Sequence, residues 1–131
     1  MTSTLVLDTH ALLWTLLDPD RIPAETLDRI RDPATALVVS AASAWEIATK
    51  VRLGKLDGAE AVVHGYLSHL SLLGADELAI TSRDALTAGS LTWAHRDPFD
   101  RMIVAQCITR SFPLVTTDAA LRSFPAITTV W

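Results

Sequence analysis

The sequence predicts an α/β fold, a single domain over residues 1–131 in three α/β/α layers around a central, mostly parallel sheet of about five short strands. Three observations predict it. Short apolar runs alternate along the chain with stretches whose apolar residues recur at helical spacing, the pattern of strands joined by crossover helices. The first two runs, Leu5-Val6-Leu7 and Ala36-Leu37-Val38-Val39, are apolar throughout, as strands covered on both faces are. Two acids, Asp8 and Asp118, stand directly after such runs, at the strand ends where parallel sheets bind ligands.

The elements follow in order. Thr4 to Leu7 is a strand, stopped by Asp8. Thr9 to Leu17 is a helix with Leu12, Leu13, Leu16 and Leu17 on its buried side, broken by Asp18-Pro19-Asp20. Pro23 opens a second helix, Ala24 to Ile30, and Ala36 to Val39 is the second strand. Ser40 to Ser43 leads into a helix through Val51 that ends near Gly54. Ala59 to Leu72 reads as one further helix on its apolar positions Val62, Val63, Tyr66, Leu67 and Leu70, closed by Gly74. Glu77 to Ile80 is a weaker third strand, and Ser82 caps a helix from Arg83 to about Leu91. Asp97 and Pro98 then suit the N-cap and first turn of a helix reaching Arg110. Pro113 to Thr117 is the fourth strand, Ala119 to Phe124 a short helical turn, and Ile127 to Val130 the last strand.

Composition bounds the function. Half of the 131 residues are hydrophobic and 20% are charged, as in folded globular domains. The apolar start is too short for a secretory signal and no apolar run approaches a membrane span, so the expected location is the cytoplasm. The single cysteine, Cys107, excludes an internal disulfide, fits a reducing compartment and reads as core packing. A net charge of −4 argues against broad nucleic-acid binding, yet clustered carboxylates that hold a cation would inflate that count.

Asp8, Glu46, Asp100 and Asp118 each fall near the start of a helix. Each also has a structural reading. Asp8 and Asp118 are placed to cap the helices that follow them, and Ser43-x-x-Glu46 fits a capping box unless the helix begins at Ser40. Glu46 is also spaced to pair with Lys50. Asp100 is the exception, because Asp97 already serves that helix end. Gathered at one sheet edge, the four would repel unless they took up protons or a cation. All-oxygen ligands select hard ions, Mg²⁺ or Mn²⁺, which bind phosphate oxygens and activate water for phosphodiester hydrolysis. Thr116, two residues before Asp118, points the same way on an extended strand, either to hold a metal-bound water or as an ordinary strand residue. Lys50, with Arg52 and Lys55, forms a small basic group that is either a solvated face or a contact for a phosphate backbone. Arg96 and Arg101 flank the central acids as ion-pair partners or phosphate contacts, and His10 is a candidate substrate contact. No histidine, His95 included, has convincing zinc-ligand spacing.

Four motifs occur in order: Leu7-Asp8-Thr9-His10-Ala11-Leu12-Leu13-Trp14; Ser43-Ala44-Trp45-Glu46-Ile47-Ala48-Thr49-Lys50 with Leu53-Gly54-Lys55-Leu56; His95-Arg96-Asp97-Pro98-Phe99-Asp100-Arg101; and Val115-Thr116-Thr117-Asp118. Together they resemble the PIN domains of VapC-type toxins from bacterial toxin–antitoxin pairs, over essentially the whole chain. The resemblance implies a PIN-like fold and a Mg²⁺- or Mn²⁺-dependent ribonuclease site on Asp8, Glu46, Asp100 and Asp118, with Thr116 as the family's threonine. It also implies a structured RNA substrate such as tRNA or ribosomal RNA, a homodimer, and a VapB-like antitoxin that blocks the cleft. Other readings are a PIN nuclease for RNA processing or DNA, and a regulatory module that holds metal without turnover. An aspartyl phosphatase fits less well, since His10 rather than a second acid follows Asp8 by two residues.

Overall fold

The computed structural model describes residues 3–131. Its five strands, β1 (Ser3–Leu7), β2 (Thr35–Ser40), β3 (Ala75–Leu78), β4 (Leu114–Val115) and β5 (Thr129–Val130), form one sheet in the order β3-β2-β1-β4-β5. Every neighbouring pair is parallel. The chain therefore builds outward from β1 to β2 and β3, then returns to the other side of β1 for β4 and β5. The order reverses between β1 and β4, and a crevice opens beyond the carboxyl ends of strands at such a reversal.

The sheet is covered on both sides because its strand residues alternate. Leu5, Leu7, Leu37, Val39 and Val115 face a core shared with α1 (Thr9–Leu17), α2 (Ala24–Arg31), α4 (Glu60–His64) and α5 (Tyr66–Leu73). Val6 and Leu114 face the opposite core, filled by Ile103, Val104 and Cys107 of α7 (Pro98–Arg110) and Leu121 of α8 (Ala119–Arg122). Burial pushes the Cys107 thiol up to about 12, so it packs as an apolar group. The two remaining helices are α3 (Ala41–Arg52) and α6 (Ser82–Ser90).

Several boundaries depart from the sequence expectation. The helix expected over residues 59–72 is two, α4 and α5, separated at Gly65. A Cβ there would lie 3.4 Å from the His69 ring, and glycine is a poor helix former in any case. The third strand starts two residues earlier than expected, at Ala75. Gly74 turns the chain at φ 78°, and pairing begins at once, Leu37 with Ala75. β4 and β5 are shorter than their apolar runs. Thr81, not Ser82, caps α6, through a capping box with Asp84.

Candidate active site

Asp8 ends β1 and caps α1, its Oδ1 accepting the Ala11 N–H at 2.7 Å. Its own N–H donates to the Val115 carbonyl at 3.1 Å, which fixes the acid at the reversal between β1 and β4. The side chain is buried, and burial raises its pKa against the Thr116 hydroxyl and Ala11 amide, which lower it. Nearby His10 also lowers it, whereas Asp118 raises it. Capping occupies one oxygen only, so capping and function share the residue.

Asp118 caps α8, accepting the Ala120 and Leu121 N–H groups at 2.8 and 3.3 Å, and is otherwise exposed. Its N–H donates to Thr116 Oγ1 at 3.0 Å. Thr116 is fully buried between the two acids, where its hydroxyl orients Asp118 and hydrogen-bonds toward Asp8.

Glu46 resolves one open alternative. Ser40 caps α3, accepting the Ala42 N–H at 3.0 Å, so Glu46 lies in the second turn and the capping box with Ser43 does not form. Ser43 instead contacts Thr9, Oγ to Oγ1 at 3.0 Å, and Thr9 Oγ1 donates to Glu46 at 2.6 Å. Lys50 donates to the other Glu46 oxygen. Burial works against the Lys50 charge, but Glu46, Asp97 and Asp100 outweigh it and raise its pKa. Of the readings the sequence left open for Lys50, the pair with Glu46 forms, which makes it the counter-charge inside the acidic group.

Asp97 caps α7, its Oδ1 accepting the Phe99 and Asp100 N–H groups at 2.8 and 3.1 Å. That leaves the Asp100 side chain free to meet His95, whose Nε2 lies 2.7 Å from Oδ2. Burial pushes the Asp100 carboxyl up to about 6, against the lowering effect of His95 and with further raising by Asp97 and Glu46. His95, Asp97 and Asp100 offer ligand atoms within 4.8 Å of one another, the only such group of three among the described residues. His95 and Thr9 were missed in the sequence, where only proximity to the acids marks them.

Two groups result, Asp8 with Thr116 and Asp118, and Glu46 with Lys50, Asp97, Asp100 and His95. Thr9, beside Asp8 and bonded to Glu46, joins them. Arg101 is a correction. Its guanidinium donates to the carbonyls of Ala88, Leu91, Trp93 and His95 at 2.8–3.0 Å, so it fastens the segment carrying His95 and does not face the acids. Arg96 is exposed on that segment and enters no ion pair among the described residues. His10 is exposed, its ring 6.0 Å from that of Trp14.

The raised Asp100 pKa has a thermodynamic consequence. A carboxyl that titrates higher folded than unfolded contributes stability at low pH that is lost as pH rises through its folded pKa. In metal-free buffer, Asp100→Asn is therefore expected to gain stability over wild type between about pH 4 and 6, reaching on the order of 1–3 kcal/mol at neutrality. Melting curves across that range check it, and a difference independent of pH would contradict it.

The donor set fits a hard divalent cation: carboxylates with one imidazole, two of the acids holding protons more tightly than usual because burial disfavours their charged forms and neighbouring acids add to the effect. Residues 5–127 match the model of the PIN domain family. The chain is 34% identical to Ribonuclease VapC22 of Mycobacterium tuberculosis, over 98% of this chain and 99% of that protein. Its fold is similar to VapBC2 from Rickettsia felis bound to a DNA fragment from its promoter, with a TM-score of 0.69 at 12% identity, covering 97% of both chains. DNA-bound VapBC from Salmonella typhimurium gives a TM-score of 0.65 at 20% identity, over 99% of this chain and 98% of that one.

Proposed function

The chain belongs to the PIN-domain family, in its VapC branch, and from that membership we propose that it is the toxin of a toxin–antitoxin pair, a metal-dependent endoribonuclease that cuts structured RNA such as tRNA or ribosomal RNA. The observation that carries this reading is the excess of carboxylate at the sheet's switch point, where burial raises the pKa of Asp8 and Asp100. Such a site favours a cation. Asp8, Glu46, Asp100 and Asp118 would hold Mg²⁺ or Mn²⁺, directly or through water. When bound, the ion supplies a Lewis acid for a phosphate oxygen and lowers the pKa of the attacking water.

The protein's own groups do the rest. The capping contacts of Asp8 and Asp118 fix their carboxylates without exhausting their lone pairs. Thr9 and Lys50 hold Glu46, and Lys50 limits the charge that the site must tolerate empty. His95 orients Asp100 and is the group placed to carry a proton there. Because backbone amides hold Asp8 and Asp118 and side chains hold Glu46 and Asp100, the site is organised before substrate arrives.

A VapB-like antitoxin partner is supported by the VapBC assemblies that share the fold, and we extend the proposal to a homodimer. Trp45, 61% exposed and edge-on to Phe99, gives a partner chain an apolar surface beside the acids. No helix among the described residues is long and apolar enough to cross a membrane, and we place the protein in the cytoplasm. The direct test incubates antitoxin-free protein with total RNA and, separately, with single-stranded DNA, both in Mg²⁺. Discrete RNA fragments with a common cut site are expected. DNA cleavage without RNA cleavage would overturn the substrate assignment, and cleavage of neither by folded protein would overturn the enzyme.

A further inference from the structure

A second feature adjoins the carboxylates and is not used by them. His10, next to Asp8 in charge and sequence, packs its ring 6.0 Å from Trp14 one turn along α1, and Trp14 packs 5.6 Å from Trp131. Trp131 in turn lines a groove of about 330 Å³ with Arg29 of α2 and Arg122 of α8. Asp118 caps that helix, so Arg122 stands about one turn, about 6 Å, beyond a site acid. Both arginines are exposed and in no ion pair among the described residues. One acid, Glu25, also lines the groove. In a chain of net charge −4, two free guanidinium groups beside a half-exposed indole make a local inversion of sign. Aromatic faces interleaved with cations are what single-stranded nucleic acid binds, bases on rings and phosphates on charges.

We infer that the RNA strand beside the cut leaves the carboxylates along this track, past His10, with an unpaired base stacked on Trp131 and its phosphates on Arg122 and Arg29. The inference rests on the ribonuclease reading and adds to it where the strand lies. Trp14 is the fixed support. Arg21 lies against its ring, 5.3 Å from the centroid, and the core packs behind it, so it holds His10 and Trp131 in place. The arrangement selects an unpaired segment next to the cleaved bond, because a base held in a duplex has no free face to stack.

The test uses a short single-stranded RNA spanning the mapped cut, bound to full-length protein carrying Asp100→Asn so that the strand stays whole. Arg29→Gln with Arg122→Gln is expected to weaken binding and to flatten the slope of log affinity against log salt by about 0.7 for each arginine. Trp131→Ala is expected to weaken binding about 5- to 100-fold and Trp131→Phe to restore most of it. An abasic nucleotide at the stacked position should weaken binding to the parent and leave the Trp131→Ala protein indifferent. The arginine pair keeps the test decisive if Trp131→Ala fails to fold. Unchanged affinity and salt slope in the arginine pair, while wild type still cuts RNA, would overturn the track alone. Loss of antitoxin binding with RNA binding intact would also overturn it, by assigning the groove to the protein partner. A wild-type protein that cuts no RNA would overturn the nuclease reading and the track together.

Discussion

Asp100→Asn is expected to lower RNA cleavage by about three orders of magnitude or more, the several kcal/mol of transition-state stabilisation that an aligned metal site supplies. The substitution keeps the side chain's volume and removes its charge. It leaves intact the Asp97 cap that starts α7, since the cap uses the Asp100 backbone N–H and not its side chain. The folded structure is therefore expected to survive. Loss of cleavage with an unchanged circular dichroism spectrum and an equal or higher metal-free melting temperature is the predicted pair of results. Wild-type cleavage by the variant would remove Asp100 from the mechanism. Loss of both fold and activity would mean that its contact with His95 is structural.

The second large effect lies behind the site. Asp84 of α6 is 1% exposed and accepts Arg110 through both oxygens at 2.9 and 3.2 Å, Gln106 at 3.2 Å and the Thr81 N–H at 3.1 Å. Burial works to raise its pKa, but the hydrogen bonds from Arg110, Thr81 and Gln106 override it and hold the carboxyl at about 2. Removing one partner of such a buried pair leaves the other uncompensated, so Asp84→Ala is expected to cost about 3–5 kcal/mol. Against a total of roughly 5–15 kcal/mol for a domain this size, that is a large share. A fall of about 10–20 °C in melting temperature should follow. A depressed carboxyl stabilises above its unfolded pKa and loses the contribution as pH drops toward its folded value. The gap between wild type and Asp84→Asn should accordingly shrink between about pH 4 and 2. A melting temperature within a few degrees of wild type for Asp84→Ala would show that the network contributes little.

This network also bears on function. It pins α6 to α7, and Arg101 of α7 then gathers four carbonyls of the segment from Ala88 to His95. The position of His95 over Asp100 depends on both. Cleavage by Asp84 variants is expected to track the folded fraction, whereas cleavage by Asp100→Asn is not.

What was legible in the sequence was local. Asp97 and Pro98 specify the start of α7 by cap and first-turn chemistry that needs no partner elsewhere, and the helix begins at Pro98. The strands that lie centrally, β1 and β2, are apolar on both faces and announce themselves. β3 is an edge strand with Asp76 and Glu77 exposed, so no apolar run marked its start and the expectation slid to Glu77-Leu78-Ala79-Ile80. Gly65 was hidden because the apolar spacing of Val62, Tyr66 and Leu70 continues across it.

The site divides the same way. Its candidate acids stood out because Asp8 and Asp118 end strands and Asp100 opens a helix, whereas Glu46 lies in the second turn of α3. Thr9 was missed because its partner Glu46 is 37 residues away and the contact exists only when α1 and α3 pack. Arg101 was misread because it follows Asp100 directly, while the helix turns successive side chains by about 100°. That rotation carries the guanidinium off the acids and onto the loop that follows α6. For Lys50 the sequence left three readings, solvent, phosphate or the i,i+4 pair with Glu46, and the pair is the one that forms.

The most direct test of the account is cleavage of RNA by the purified, antitoxin-free protein after exhaustive EDTA treatment, then with Mg²⁺ or Mn²⁺ restored in excess. The carboxylate group described here predicts no cleavage in EDTA and full recovery with either ion in the wild type. It predicts no recovery at the same metal concentration in Asp8→Asn or Asp100→Asn. Undiminished cleavage in EDTA, or full metal-dependent cleavage by Asp8→Asn, would contradict it.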